Sequence, residues 1–270
     1  MGILNITPDS FYDGGRYADE SEVMDQVRIM IESGADIIDI GGCSSRPGAR
    51  VPDAGEESER VFPILKLIRD QYPDFPVSLD TFRSGIAEKA IADHGVDMIN
   101  DISGGEMDSE MFRVVTKYQV PFVMMHMRGN PATMQTLTGY DDILKDLLVY
   151  FAEKIERLRE MGLTDVIIDP GFGFAKTIDQ NFYLLKHLPV FRMLNTPVLV
   201  GLSRKSMIYK YLNINASGAL PGTMVLNTIA LLNGADILRV HDVKEAVQAV
   251  ALVSKTVDAS TAKSMPVTPG

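Results

Sequence analysis

Asp80, Asn100 and Asp169 each end a short apolar stretch, in Ser78-Leu-Asp-Thr81, Ile99-Asn-Asp-Ile102 and Val166-Ile-Ile-Asp-Pro-Gly171. Carboxylates accept hydrogen bonds and cannot donate them, while an Asn amide does both. Two acids and an amide at buried ends therefore suit a flat amino-heterocycle with an edge rich in N–H groups. Capping of the following helices is the structural alternative for any one of them alone. Paired carboxylates also raise acid–base work or a metal. No His-x-x-His, His-Glu-x-x-His or Cys-x-x-Cys spacing is present to build a transition-metal centre. His126, within Met124-Met-His-Met-Arg128, reads as packing rather than as a ligand.

Cations lie near other run ends. Gly171-Phe-Gly-Phe-Ala-Lys176 has Lys where a dinucleotide fingerprint has its third Gly, and Gly201-Leu-Ser-Arg-Lys-Ser206 lacks the Gly before Lys of a P-loop. The second stretch does place Ser203, Arg204 and Lys205 at a helix start, where Ser206 and free N–H groups suit a carboxylate. Arg239 and His241 alternate onto one face of the last apolar run and read as an anion clamp. Asp242-Val-Lys-Glu245 reads as a capping box, which gives Asp242 a structural role.

Two glycine-containing loops add to these. Thr7 to Gly15 carries Asp9 and Asp13, which serve chemistry or cap turns. Gly41 to Ala49 carries Arg46 between Ser45 and Pro47, suited to an anionic ligand or to plain solvent exposure. Cys43, the single cysteine, reads as inert.

Something must bring these positions together. Apolar runs ending in a polar residue and a loop recur at Met1 to Thr7, Asp36 to Gly42, Val77 to Phe82, Met98 to Ser103, Phe122 to Met127, Val166 to Asp169, Val198 to Ser203 and Ile237 to His241. Helical stripes lie between them, such as Val23, Val27, Met30 and Ile31, or Val243, Val247, Val250 and Val253. Continuous apolar runs are the mark of parallel strands buried on both faces. Eight such units in roughly 250 residues predict a single-domain α/β protein, a (βα)8 TIM barrel over residues 1–258, with its site at the C-terminal ends of the strands. The polar run ends, Asn5, Asp39, Asp80, Asn100, His126, Asp169, Ser203 and the Arg239–His241 pair, would then converge on one mouth. An open doubly wound sheet is the alternative, and the count of eight argues against it. The small, polar tail 259–270 is expected to be disordered.

With 270 residues and 46% hydrophobic content, one large core is attainable. A net charge of -10 argues against a general nucleic-acid or anionic-membrane surface. One cysteine excludes an intrachain disulfide, and the start lacks the basic residues and long apolar core of a signal peptide. No run reaches the roughly 20 apolar residues of a membrane span. The expectation is a cytoplasmic enzyme whose ligand has a nitrogen-rich aromatic part and a phosphorylated part.

Together, Gly2-Ile-Leu-Asn-Ile-Thr-Pro-Asp-Ser-Phe11, Ser45-Arg-Pro-Gly48, Asp169-Pro-Gly-Phe-Gly-Phe174, Ser203-Arg-Lys-Ser206 and Arg239-Val-His-Asp-Val243 resemble the dihydropteroate synthases, from residue 1 to about Val253. The resemblance implies condensation of 6-hydroxymethyl-7,8-dihydropterin pyrophosphate with 4-aminobenzoate in folate synthesis. It implies that Asp80, Asn100, Asp169 and Lys205 hold the pterin, lined by Met124 and Gly201. It also implies that Asn5, Arg239 and His241, joined by Arg46, form the pyrophosphate and Mg2+ site, with Asn5 on the metal. Ser206, Ser45, Phe11, Pro47 and Phe174 would surround the aminobenzoate, and Asp13 would stabilise the pterin cation. Lys205, Arg239 and His241 share the catalytic work in that reading, and homodimers are expected. The sequence departs from the family's pattern with Cys43 for the usual Glu, Ser45 for Thr and Tyr12 for a common Ser. A tetrahydrofolate-dependent methyltransferase on a similar barrel shares the Asp and Asn recognition but has no pyrophosphate to hold. A non-catalytic pterin-binding paralogue would lose the first loop or the anion clamp.

Overall fold

The computed structural model describes residues 1–6, 16–43 and 50–259, the side chains of 16–19 excepted. The eight apolar runs become strands, each preceding at least one helix. In order they are β1 Gly2–Asn5, α1 Arg16–Glu32, β2 Ile38–Gly41, α2 Ala54–Gln71, β3 Val77–Asp80, α3 Ser84–His94, β4 Met98–Asp101, α4 Met111–Tyr118, β5 Phe122–Met125, α5 Ile143–Glu160, β6 Val166–Asp169, α6 Ile178–Lys186, β7 Leu199–Val200, α7 Ser206–Tyr209, α8 Leu220–Leu232, β8 Ile237–Leu238 and α9 Val243–Asp258.

Strands β1 to β6 pair in parallel in chain order, as do β7 and β8. Two parallel bridges close the seams, Ile168 to Val198 between β6 and β7, and Gly2 to Val240 between β1 and the end of β8. The sheet is thus a closed barrel, and the open doubly wound alternative falls.

Alternation along the strands sorts the apolar residues into three groups. Ile38, Ile40, Val77, Leu79, Phe122, Met124 and Ile168 face the helices and join the main core. Val123, Ile167 and Leu199 fill the barrel interior with Met1, Met98 and Ile237. Phe82, Ile102, Met125, Met127, Met134, Phe174 and Ala175 form a third cluster, beside Cys43 and Val51. The helices start where local chemistry satisfies their free N–H groups. Asp53 and Glu56 form a capping box on α2, Thr177 and Gln180 another on α6, and Asp142 caps α5.

Candidate active site

The barrel register sets the site. Asn5, Gly41, Asp80 and Asn100 are successive partners across β1 to β4, so their side-chain positions share one row on the inner face. Met125 pairs with Asp169 in the same way. Asp80, Asn100 and Asp169 are all buried. None of them caps a helix: the N-cap residues of α3, α4 and α6 are Arg83, Glu110 and Thr177. The capping alternative is therefore excluded for these three. Next door, Asp101 binds the N–H and hydroxyl of Ser103 and the N–H of Gly105 in a local turn.

Arg239 leaves β8 and crosses the barrel. Its Nε donates to Asp39 and its Nη2 to Asp80, both at 2.6 Å. Burial opposes its charge, yet the two carboxylates raise its pKa overall. The sequence reads Arg239 as an anion clamp, and two of its three nitrogens are on carboxylates. Burial raises Asp80 to about 7 against the opposing pull of Arg239. Asp169 is also raised, by burial first, while Lys205, the Gly171 N–H, Arg239 and Lys176 work to keep it ionised. Its Oδ1 accepts the Gly171 N–H at 2.7 Å.

Lys205 reaches toward Asp169 from beyond β7. Its ammonium donates to the Phe172 carbonyl and stands 4.7 Å from the centre of the Phe174 ring. Burial lowers it to about 8, with Asp169 opposing. Gly201 lies between Lys205 and Arg239: a Cβ there would be 3.9 Å from Lys205 Nζ and 4.0 Å from Arg239 Cβ. His241 is tied to the segment that follows β7, its backbone N–H and Nδ1 both meeting Ser203 Oγ.

Several expectations are corrected. Met124 does not line this site: it pairs with Ile168 and packs toward the helices with the main core, whereas Met125 faces inward beside Asp169. Strand alternation alone carried that signal. Asp242 makes no capping bond to α9; both its oxygens are taken by Arg204, at 2.9 and 2.7 Å, so Arg204 is spent on that ion pair. Ser206 does open a helix, but α7 has four residues, too short to supply a full macrodipole. His126 does not join the mouth. It is buried edge-on to Tyr150, 4.8 Å between ring centres, and burial holds it at about 2, so it stays neutral, as packing implies. Phe11, Asp13, Ser45, Arg46 and Pro47, with Asp9 and Tyr12, lie outside the described residues, as does the tail from 260.

Two contributors were missed. Asp39 appeared only as one polar strand end among eight, yet it bridges Arg239 and Asn100. Lys176, set aside with a rejected nucleotide motif, is buried, and its ammonium binds the carbonyls of Gly171 and Phe174, both at 3.0 Å, and His126 Nδ1 at 3.2 Å. It braces the turn that carries Asp169. Burial lowers it to about 7, with Asp169 opposing. Nothing local marks it, because a Lys after a Gly-rich turn is ordinarily exposed.

A pterin-binding enzyme family model, described as "Pterin binding enzyme", matches residues 1–241. The chain belongs to that family, among its dihydropteroate synthases. A Synechocystis dihydropteroate synthase is 44% identical over 262 residues, covering 96% of this chain and 89% of that protein. The Escherichia coli K12 enzyme of the same name is 41% identical over 261 residues, covering 96% and 92%. Among solved structures, a Yersinia pestis dihydropteroate synthase in a sulfonamide drug complex superposes with a TM-score of 0.88 at 38% identity, covering 95% of this chain and 93% of that one. A Xanthomonas albilineans dihydropteroate synthase with 4-aminobenzoic acid gives 0.87 at 35%, covering 96% and 93%.

Cys43 sits half-buried beside the Arg83–Glu57 ion pair, its sulfur 3.7 Å from Arg83. Burial, then the Glu57 carboxylate, pushes its thiol up to about 12. Only the thiolate alkylates, so the inert reading has a direct consequence. Iodoacetamide at pH 8 is expected to modify native Cys43 at least about 100-fold more slowly than the urea-denatured chain, whose thiol has a pKa of about 8.5. Equal rates by mass spectrometry would overturn it.

Proposed function

We propose that this chain condenses 6-hydroxymethyl-7,8-dihydropterin pyrophosphate with 4-aminobenzoate, giving 7,8-dihydropteroate and pyrophosphate for folate synthesis. The observation that carries the reading is the convergence of Asp80, Asn100, Asp169 and Lys205 at one barrel mouth in a dihydropteroate synthase family member.

The buried acceptors Asp80 and Asp169 take the pterin's N–H groups, and Asn100 serves its mixed edge. Lys205, between Asp169 and the Phe174 ring, closes one side of the pterin and donates to it. Departure of pyrophosphate breaks the CH2–O bond, with the electron pair leaving on the phosphate oxygen. The remaining CH2 cation is delocalised by the electron-rich pterin ring. The aryl amine, already neutral at pH 7, attacks it without a general base, forms the C–N bond and then gives its extra proton to water. Asp13 stabilises the cation, and Arg239 and His241, joined by Arg46, stabilise the leaving group. Phe11, Ser45, Pro47, Phe174 and Ser206 hold the aminobenzoate.

Mg2+ is the cofactor of this reading. The Asn5 Oδ1 lies 3.5 Å from the Cβ position that Gly41 leaves empty, so a hard amide oxygen looks across the inner row. Among the described residues no three His, Cys, Asp or Glu side chains cluster as a metal cage. One protein oxygen fits an ion that keeps its waters and binds chiefly to substrate phosphates. When bound, it would neutralise charge on the departing pyrophosphate.

A homodimer is supported by Val225, Ile229 and Leu232, spaced along α8 and all exposed, an outward apolar stripe that a second copy would cover. No described helix is long and apolar enough to cross a membrane. The cytoplasm is the compartment we propose.

The test is pyrophosphate release from the dihydropterin pyrophosphate with Mg2+, with and without 4-aminobenzoate, while dihydropteroate is followed by chromatography. Equimolar pyrophosphate and dihydropteroate, dependent on aminobenzoate, is the expected result. Tight pterin binding without either product would overturn it in favour of a non-catalytic binding protein.

A further inference from the structure

We propose that Asp39 is a positioning residue that sets which way the Asn100 amide faces and where the Arg239 guanidinium lies, an inference that rests on the pterin reading above. Asp39 is fully buried on β2, with Ile3 and Ser78 as its register partners. It stands one layer below the row of Asn5, Gly41, Asp80 and Asn100. A single oxygen, Oδ2, accepts from Asn100 Nδ2 at 3.0 Å and from Arg239 Nε at 2.6 Å.

A carboxylate has no donor, so Asn100 can meet it only with its NH2 group. The amide is thereby locked against flipping. Its oxygen, with the second N–H, is left to read the ligand's edge, and a ligand with the opposite donor and acceptor order would be refused. Arg239 is gripped at the same point. Nε on Asp39 and Nη2 on Asp80 hold the plane of the guanidinium, and Nη1 is the nitrogen that neither carboxylate engages. Pterin reading and leaving-group handling therefore share one anchor. The other oxygen of Asp39 is buried without a hydrogen-bond partner among the described residues, as is the hydroxyl of its neighbour Ser78. A buried carboxylate half unsatisfied costs stability. What it supplies in return is the orientation of two site residues, in keeping with the way proteins break packing rules at functional sites.

Asp39→Asn keeps the shape but removes the charge and lets Asn100 adopt either orientation. The Michaelis constant for the dihydropterin pyrophosphate is expected to rise about 10- to 100-fold, the loss of a charged hydrogen bond, with weaker pterin affinity by calorimetry. The constant for 4-aminobenzoate should stay within about twofold, a split that general loosening would not produce. Ser78→Ala, from the same layer, should change neither. If wild type makes dihydropteroate and Asp39→Asn binds pterin unchanged, this role is wrong and the enzymatic reading stands. Both constants rising together would also overturn it, in favour of a structural role. If wild type makes no dihydropteroate, the enzymatic reading fails first. Should Asp39→Asn not fold, the side-chain amide of Asn100 in ligand-free wild type, assigned by its loss in Asn100→Ser, decides. Slowed hydrogen exchange is expected there, and exchange at the solvent rate would overturn the assignment.

Discussion

Asp169→Asn is expected to weaken binding of the dihydropterin by about 1.5–3 kcal/mol, roughly 10- to 150-fold, while leaving the fold intact. The side chain is almost wholly buried, and one oxygen is already committed to the Gly171 N–H. An amide at this place turns half of a pure acceptor into a donor facing the pterin's own N–H groups. It also removes the charge that Lys205 and Lys176 are positioned to meet. The pH dependence has a definite sign. Because burial raises its pKa, wild-type pterin affinity should fall as the medium is acidified through that raised value, since the protonated form has lost an acceptor. In the variant this group's contribution to the acid limb should vanish. Calorimetry showing unchanged affinity would remove Asp169 from the pterin site.

The larger loss of stability is expected from Gly171→Ala, at about 2–5 kcal/mol, the sum of a left-handed backbone cost and an overpacked core. Gly171 has φ +71°, and a Cβ there would sit well inside van der Waals contact distance of the His126 carbonyl oxygen. Relief by rotation is not available. That carbonyl and the one on Gly171 are both bound by Lys176, and the His126 N–H is held by Asp169 O in continuation of the β5–β6 pairing. The added methyl would therefore displace the turn that carries Asp169 and bring Lys176 away from its acceptors. Urea unfolding should register the loss, and a midpoint like that of wild type would show that this turn has slack the geometry does not indicate.

The two substitutions differ in how far their consequences could be read without a fold. That Asp169 binds a ligand follows from its type and its place at the end of a buried apolar run. That a methyl at Gly171 is costly follows from its backbone and from the closeness of His126, just past β5 and 45 positions earlier in the chain.

The same division runs through the molecule. Alternation of apolar runs and helical stripes is a local property, because burial on both faces demands continuous apolar residues and burial on one face demands a stripe. Eight such alternating units therefore determined a barrel, and with it the end at which Asp80, Asn100, Asp169 and Arg239 would gather. The sequence motifs also determined the family, and with it the substrates.

The partners of each charge were decided by tertiary structure alone. Arg239 and Asp39 are 200 positions apart and Asp80 is 159 from Arg239, yet closure of the barrel brings them within 2.6 Å. Arg204 was drawn to Asp242 rather than to the mouth, and Lys176 was buried where its composition predicts exposure. Apolar burial is non-directional and leaves its mark as a pattern along the chain. Hydrogen bonds and ion pairs depend on distances of a few tenths of an ångström and on which donor faces which acceptor, and those exist only once the sheet has closed.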